Sequence, residues 1–305
     1  MNLKQCYSDA IKNKYAIGAF NFCNLESLKG ILNSAQKNNS PVIVAVSSSA
    51  MKHIGDEYLK QFITASKATY TVPHFFHLDH GKDFEICKKA ISLGFDSVMI
   101  DGSALCFEEN VALTKKVCEY AHERGVFVEG ELGKLMGVED EHSSTESLFT
   151  DPNEAKKFVE LTNVDSLAIA IGTSHGICKF DGEPKLEFDI LEQICKLLPS
   201  FPLVLHGASS VDEVTIEKIN NLGGQIKKAK GIPADMLKKA CQNYNICKIN
   251  VDTDIRMATT LALKQYFSNK PDNVDTKKYF FDAQTEIEKL VDYKICEVFG
   301  SNNRV

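Results

Sequence analysis

Eight short β-branched runs recur along this chain with helix-like stretches between them, and nearly every run finishes on a residue able to do chemistry. The runs are YAIGAFNF (15–22), SPVIVAVS (40–47), VPHFFHLDHG (72–81), SVMIDGS (97–103), FVEGELG (127–133), SLAIAIGTSHG (166–176), PLVLHGASS (202–210) and ICKINVDTD (246–254). Between them, segments such as 25–38, 83–94 and 110–125 place apolar residues at three- and four-residue steps. Gly94 and Gly125 stand where helix C-caps are needed.

Such alternation suits either a doubly wound open sheet or a closed (β/α)8 barrel. The polar residues decide between them. They fall at Asn21, Ser47, Asp79 with His80, Asp101, Glu131, His175, His206, and Asn250 with Asp252, one set per run. An open sheet gathers its site at one switch point, whereas a closed barrel brings all its strand ends to one mouth. The expectation is a TIM barrel. Residues 259–269 read as its eighth helix, and an added C-terminal helix lies in the last 40 or so residues.

The 305 residues are 44% hydrophobic and 25% charged, ordinary for a globular protein with a large core. No linker, repeat or low-complexity run divides them, so one barrel domain is expected over 1–305. The net charge of −6, with basic residues scattered, gives no footprint for nucleic acid or an anionic membrane. The likeliest class of partner is therefore a small molecule. The ten cysteines form no CxxC pair and several sit in apolar patterns, which reads as reduced core thiols. With no signal-like or membrane-spanning apolar segment, the expected location is the cytoplasm.

His80, His175 and His206 each end a run and are each followed by glycine. Imidazole is the commonest zinc ligand, and three protein ligands with one open position mark a catalytic zinc. One such histidine alone is more often a hydrogen-bonded core residue; three at equivalent strand ends favour a metal. His53, His74, His122 and His142 lack this placement and read as surface residues. His77 shares a strand face with Asp79 and either orients it or packs. Asp79 itself suits a further ligand, a ligand-orienting group or a general acid/base. Asp101 and Glu131 suit a second cation, or else bonds to nearby lysines and amides.

The segments 172–179, 206–210 and 250–256 leave the last three strands with glycines and hydroxyls, a pattern suited to a phosphate after strands seven and eight. Lys179 and Arg256 add positive charge. The insert 134–151 is long, acidic and polar, and is expected to be a mobile loop over the site that carries Glu139 or Asp140.

With these residues in view, the chain resembles the class II, zinc-dependent fructose-bisphosphate aldolases almost end to end, through HLDHG, GFDSVMIDGS, VEGELGKLMGVED, GTSHG, LVLHGASS and KINVDTDIRMA. The resemblance implies that His80, His175 and His206 bind the catalytic Zn2+ and that Asp79 is the acid/base, exchanging a proton with the C4 hydroxyl. Zinc would stabilise the enediolate left when C3–C4 breaks. It places the phosphate of glycerone phosphate on Gly176, Lys179, Gly207, Ser209, Asp252 and Thr253. Asn21, Ser47 and Asn250 are expected to contact substrate as well. It makes Glu139 the candidate for a second proton transfer, and puts a further cation site, including a monovalent ion such as Na+ or K+, near Asp101 and Glu131.

Arg256 matches an arginine that reaches the other phosphate from a neighbouring subunit, which implies a homodimer or homotetramer. The chain departs from the family pattern at Ala104, Leu105 and Cys106, where many relatives have histidine and proline. That touches local contacts or an auxiliary cation rather than the three histidines.

Three rival readings stand beside this one. Tagatose-bisphosphate aldolases are the nearest, but tend to carry alanine and lysine where this chain has Asp252 and Arg256. A Schiff-base aldolase would use Lys248 in the eighth run. A non-catalytic sugar-phosphate-binding barrel would have less reason to keep all the candidate groups.

Overall fold

The computed structural model describes the chain except residues 135, 140–141, 145–147, 176–183, 211–212 and 228–229, and gives backbone alone at 136–139, 142–144 and 175. Eight parallel strands close into a barrel: β1 (Ile17–Asn21), β2 (Val42–Ser47), β3 (His74–Gly81), β4 (Ser97–Ile100), β5 (Phe127–Leu132), β6 (Ser166–Ile169), β7 (Leu203–Leu205) and β8 (Ile246–Val251). Each pairs with its neighbours in sequence, and β8 pairs back onto β1. The strands are buried at nearly every position because helices cover one face and packed side chains fill the other.

The helix Leu3–Asn13 closes the N-terminal end of the barrel. Leu3, Cys6, Tyr7, Ala10 and Ile11 form one apolar stripe packed on Ile17, Ile43, Phe75 and Cys247, with Tyr7 edge-on to Phe127. Burial stabilises each large aliphatic side chain there by about 1.5–3 kcal/mol. Asn2 and Gln5 start this helix with a capping box. With that end plugged, chemistry is left to the opposite mouth.

At the other end of the sequence, the helix Thr253–Asn269 follows β8, and the added helix Thr276–Tyr293 packs across Leu25–Lys37. The close approach depends on Gly30, where a Cβ would lie 2.9 Å from Ile287 Cγ2. A short π-helical turn, Lys294–Phe299, then ends on Gly300 in the left-handed conformation.

Several local features differ from the sequence reading. The sixth strand stops at Ile169. Gly172 then turns the chain at φ 106°, where its Cβ position would lie 2.2 Å from the Lys185 carbonyl oxygen, so the strand cannot run on. His175 lies instead on a separate two-residue strand, Ser174–His175, paired in parallel with Met136–Gly137. The backbone of the 134–151 insert contains an antiparallel hairpin, Met136–Glu139 with His142–Ser144, so the insert is joined to the strand that carries His175.

Cys6, Cys87, Cys118, Cys241 and Cys247 are buried thiols, but Cys23 and Cys106 are exposed because each sits in a loop beyond its strand. Of the histidines read as surface residues, His53 is exposed while His74 and His122 are half-buried. His122 bonds Asp165 at 2.8 Å. The side chain of His142 lies outside the described residues.

Candidate active site

Successive residues of a strand face opposite ways, so Asp79 and His80 should not both reach the barrel mouth. They do so through a bulge. Leu78 pairs with Val98 and Gly81 with Ile100, which gives β3 one more residue than β4 over the same span. His80 absorbs the irregularity at φ 48°, a conformation rare for residues other than glycine and a form of local strain.

Asp79 is nearly fully buried and held on both sides. Asn21 Nδ2 donates to Asp79 Oδ2 at 2.7 Å, and Asn250 Nδ2 donates to Oδ1 at 2.9 Å. Since Asn21 ends β1 and Asn250 lies in β8, the strands that close the barrel also hold this carboxylate. The amide oxygens of both asparagines are buried without a hydrogen-bond partner among the described residues, and so are positioned to accept from a hydroxyl-bearing ligand.

The His80 and His206 rings meet edge to face, with centroids 4.6 Å apart. His206 Nδ1 lies 3.7 Å from Asp79 Oδ1. Asp79, His80 and His206 bring their donor atoms within 4.8 Å of one another, as do His80, Asp101 and Glu131. His80 Nδ1 is 3.0 Å from Asp101 Oδ2 and 3.5 Å from Glu131 Oε2, an oxygen with no hydrogen-bond partner among the described residues. Ser103 donates twice more to Asp101, through its backbone N–H and its hydroxyl.

The charged groups of this cluster shift one another strongly. Burial disfavours a charged imidazole, yet the hydrogen bond to Asp101 and the nearby charges of Asp79 and Glu131 outweigh it and push His80 well up. Glu131 is pushed well above the usual carboxylate range, first by burial and then by Asp101. For Asp101, burial pushes upward, but bonds to His80 and Ser103 prevail and hold it far below that range. Crowded carboxylates beside two imidazoles, with a buried oxygen left over, fit a metal ion.

Ser47 Oγ caps the helix Ser48–Ile54 by accepting from Ala50 N, and lies 3.1 Å from Ser49 Oγ. Asp252 stands at the start of Thr253–Asn269 and pairs with Arg256 at 2.6 Å. Asn21, Ser47, His53, Asp252 and Arg256 line one cleft of about 580 Å³, a volume suited to a small ligand. Gly207 turns at φ 61° against the Ser174 backbone, and beyond buried Ser209 the Ser210 N–H donates to Asp254 Oδ2 at 3.0 Å, which sets this loop beside the start of Thr253–Asn269, an arrangement open to an anion. Gly176 and Lys179 lie outside the described residues, as do the side chains of Glu139 and His175. A second cavity, about 640 Å³, lies behind the mouth against Ser210, Asp254 and Lys294 and contains none of the expected ligands.

Two groups of consequence escape the sequence reading. Glu129 contacts His206, and its signal was the alternation in EGE, which puts Glu129 and Glu131 on one face of β5. Lys294 is buried against Asp254 at 2.7 Å and Ser210 Oγ at 2.8 Å; 40 residues separate it from Asp254, and no local pattern marks it. Lys248, the Schiff-base candidate, is fully buried and engaged by both oxygens of Glu129 and by His77 Nε2. A lysine tied in this way is not an available nucleophile. His77 bonds Ser97 and Lys248 rather than Asp79.

The family model "Fructose-bisphosphate aldolase class-II" matches residues 1–304. A fructose-bisphosphate aldolase of Treponema pallidum (strain Nichols) is 45% identical, with 100% of this chain and 97% of that protein covered. One from Giardia intestinalis is 44% identical over 98% of this chain and 92% of its own. Among solved structures, the YdjI aldolase of Escherichia coli K12 superposes with a TM-score of 0.81 at 30% identity, covering 99% of this chain and 98% of that one.

Proposed function

The chain belongs to the class II fructose-bisphosphate aldolase family, and on that premise we propose how its barrel mouth performs the reversible cleavage of fructose 1,6-bisphosphate to glycerone phosphate and glyceraldehyde 3-phosphate. The observation that carries the reading is the β3 bulge, which sets Asp79 and His80 side by side facing His206.

His80, His206 and His175 are the residues that would hold Zn2+, with the backbone of the 174–175 strand bringing His175 to this end of the barrel. Bound there, zinc supplies Lewis-acid stabilisation of the negative charge that develops as C3–C4 breaks. Asp79 takes the C4 hydroxyl proton during cleavage and returns it during condensation. Asn21 and Asn250 fix its two oxygens, and their own oxygens are left to receive substrate hydroxyls. Glu139, from the insert, exchanges the second proton at the carbon of glycerone phosphate. The insert 134–151, part of which lies outside the described residues, serves as the loop over the site within a single domain over 1–305.

Gly207, Ser209, Asp252 and Thr253, with Gly176 and Lys179, receive the phosphate of glycerone phosphate. Ser47, in the cleft it shares with Asn21 and Asp252, serves the other end of the substrate. Asp101 and Glu131 form a second cation site, divalent or for Na+ or K+. Arg256 is half-exposed, which suits a role across a subunit boundary in a homodimer or homotetramer. Among the described residues no helix is long and apolar enough to cross a membrane, and we place the enzyme in the cytoplasm.

The Asp252–Arg256 pair favours fructose over tagatose bisphosphate as substrate. Cleavage rates on the two sugars, measured side by side, test this. Fructose bisphosphate should be cleaved faster, and the paired change Asp252→Ala, Arg256→Lys should narrow the difference. Equal rates on both sugars in the wild type would remove the preference.

A further inference from the structure

The interior of the barrel contains a chain of buried polar groups that the cleavage chemistry does not use. Lys248 Nζ, on β8, lies 2.7 and 3.0 Å from the two carboxylate oxygens of Glu129 on β5. It also donates to His77 Nε2 at 3.1 Å, and His77 Nδ1 then carries the proton given to Ser97 Oγ at 2.7 Å. Burial, and then the charge of Lys248, hold His77 well below the usual imidazole value, in keeping with a neutral ring that accepts at one nitrogen and donates at the other. At the far end of the chain, Glu129 Oε1 is 2.7 Å from His206 Nε2.

An ion pair this deep needs a reason. Replacing a buried pair by apolar side chains is often neutral or stabilising, so fold stability does not account for placing Glu129 and Lys248 in the centre of a barrel that could be filled with aliphatic side chains. The contact with His206 does account for it. An ionised carboxylate only accepts, so a 2.7 Å contact puts the proton on His206 Nε2 and leaves the Nδ1 lone pair turned toward the mouth.

We propose that Glu129, steadied by Lys248 and the His77–Ser97 pair behind it, is a positioning residue that fixes the tautomer and ring orientation of His206 so that Nδ1 is presented to the metal. This rests on the reading that His206 is a metal ligand. Lys248 then has a defined task, which is to hold both oxygens of Glu129 in place.

The test is zinc affinity, read by competition with a chromophoric chelator, in wild type, His206→Ala and the double variant Glu129→Leu/Lys248→Met. The double change removes both charges together, so no unpaired ion remains in the core. It should fold with a metal-free melting temperature close to wild type, yet bind zinc about 10- to 100-fold more weakly. Wild-type affinity in the double variant would overturn the proposal. Wild-type affinity in His206→Ala would instead sink the metal reading on which it rests. Should the double variant not fold, the nitrogen-15 spectrum of the metal-free wild-type protein decides: His206 protonated at Nε2 supports the proposal, and protonation at Nδ1 overturns it.

Discussion

Asp79 and His80 are neighbours in the chain and partners in space, and the cost of that arrangement falls on the His80 backbone. If Asp79 serves as the acid/base, Asp79→Asn retains the shape and one acceptor but cannot take the proton. Its kcat should fall by about 10²- to 10⁴-fold with zinc content unchanged. A variant that keeps more than a tenth of the wild-type kcat would remove Asp79 from that role. The thiols give a second prediction at this scale. Burial pushes Cys6 up to about 11, and Cys118 and Cys241 up to about 12, and all three are enclosed. Peptide mapping after brief maleimide treatment of the native protein should find Cys23 and Cys106 labelled and these three untouched. Labelling of the three without unfolding would contradict the packing described for them.

Individual elements set what holds the mouth in register. Lys294, on the C-terminal turn, reaches Asp254 and Ser210, and so ties the last helix to the first turn of Thr253–Asn269 and to the loop after β7. Lys294→Met removes a buried ion-pair partner of Asp254 and should cost about 3–5 kcal/mol, seen as a lower melting temperature. An unchanged melting temperature would make the tie incidental.

The same helix is clipped to Leu25–Lys37 through Asp292, which accepts from Ser34, Lys37 and Asn38. Burial raises Asp292, but these bonds outweigh it and hold its carboxyl low. A depressed carboxyl stabilises the fold above its unfolded value, near 4, and that contribution is lost as pH falls through the lower folded value. Stability measured in denaturant from pH 6 downward should therefore decline less steeply in Asp292→Asn than in wild type; equal slopes would rule the contribution out.

These elements also show what a sequence can and cannot disclose. The eight barrel strands were legible because strands buried on both faces must be apolar and β-branched, and the fold follows from their alternation with helices. The stripe of Leu3, Cys6, Tyr7, Ala10 and Ile11 was legible in principle at helical spacing, yet it went unread. The end of β6 was not, since the glycine that turns the chain at 172 is no different in sequence from the glycines at 94 and 125. Nor were the partners of Lys248 and Lys294, which come from strands and loops distant in sequence and meet only when the barrel closes.

For the whole molecule, closure explains the site. Asp79 is held by amides from β1 and β8, His206 follows β7, Asp101 follows β4 and Glu131 comes from β5, so no part of the chain contains the chemistry alone. This convergence points to a metal-dependent aldolase with no Schiff-base lysine. The most direct measurement is cleavage of fructose 1,6-bisphosphate before exhaustive chelation, after it, and again with zinc restored. Activity should be lost with the metal, return with zinc, and be untouched by borohydride in the presence of substrate. Activity that survives complete removal of metal, with substrate trapped on the protein by borohydride, would contradict it.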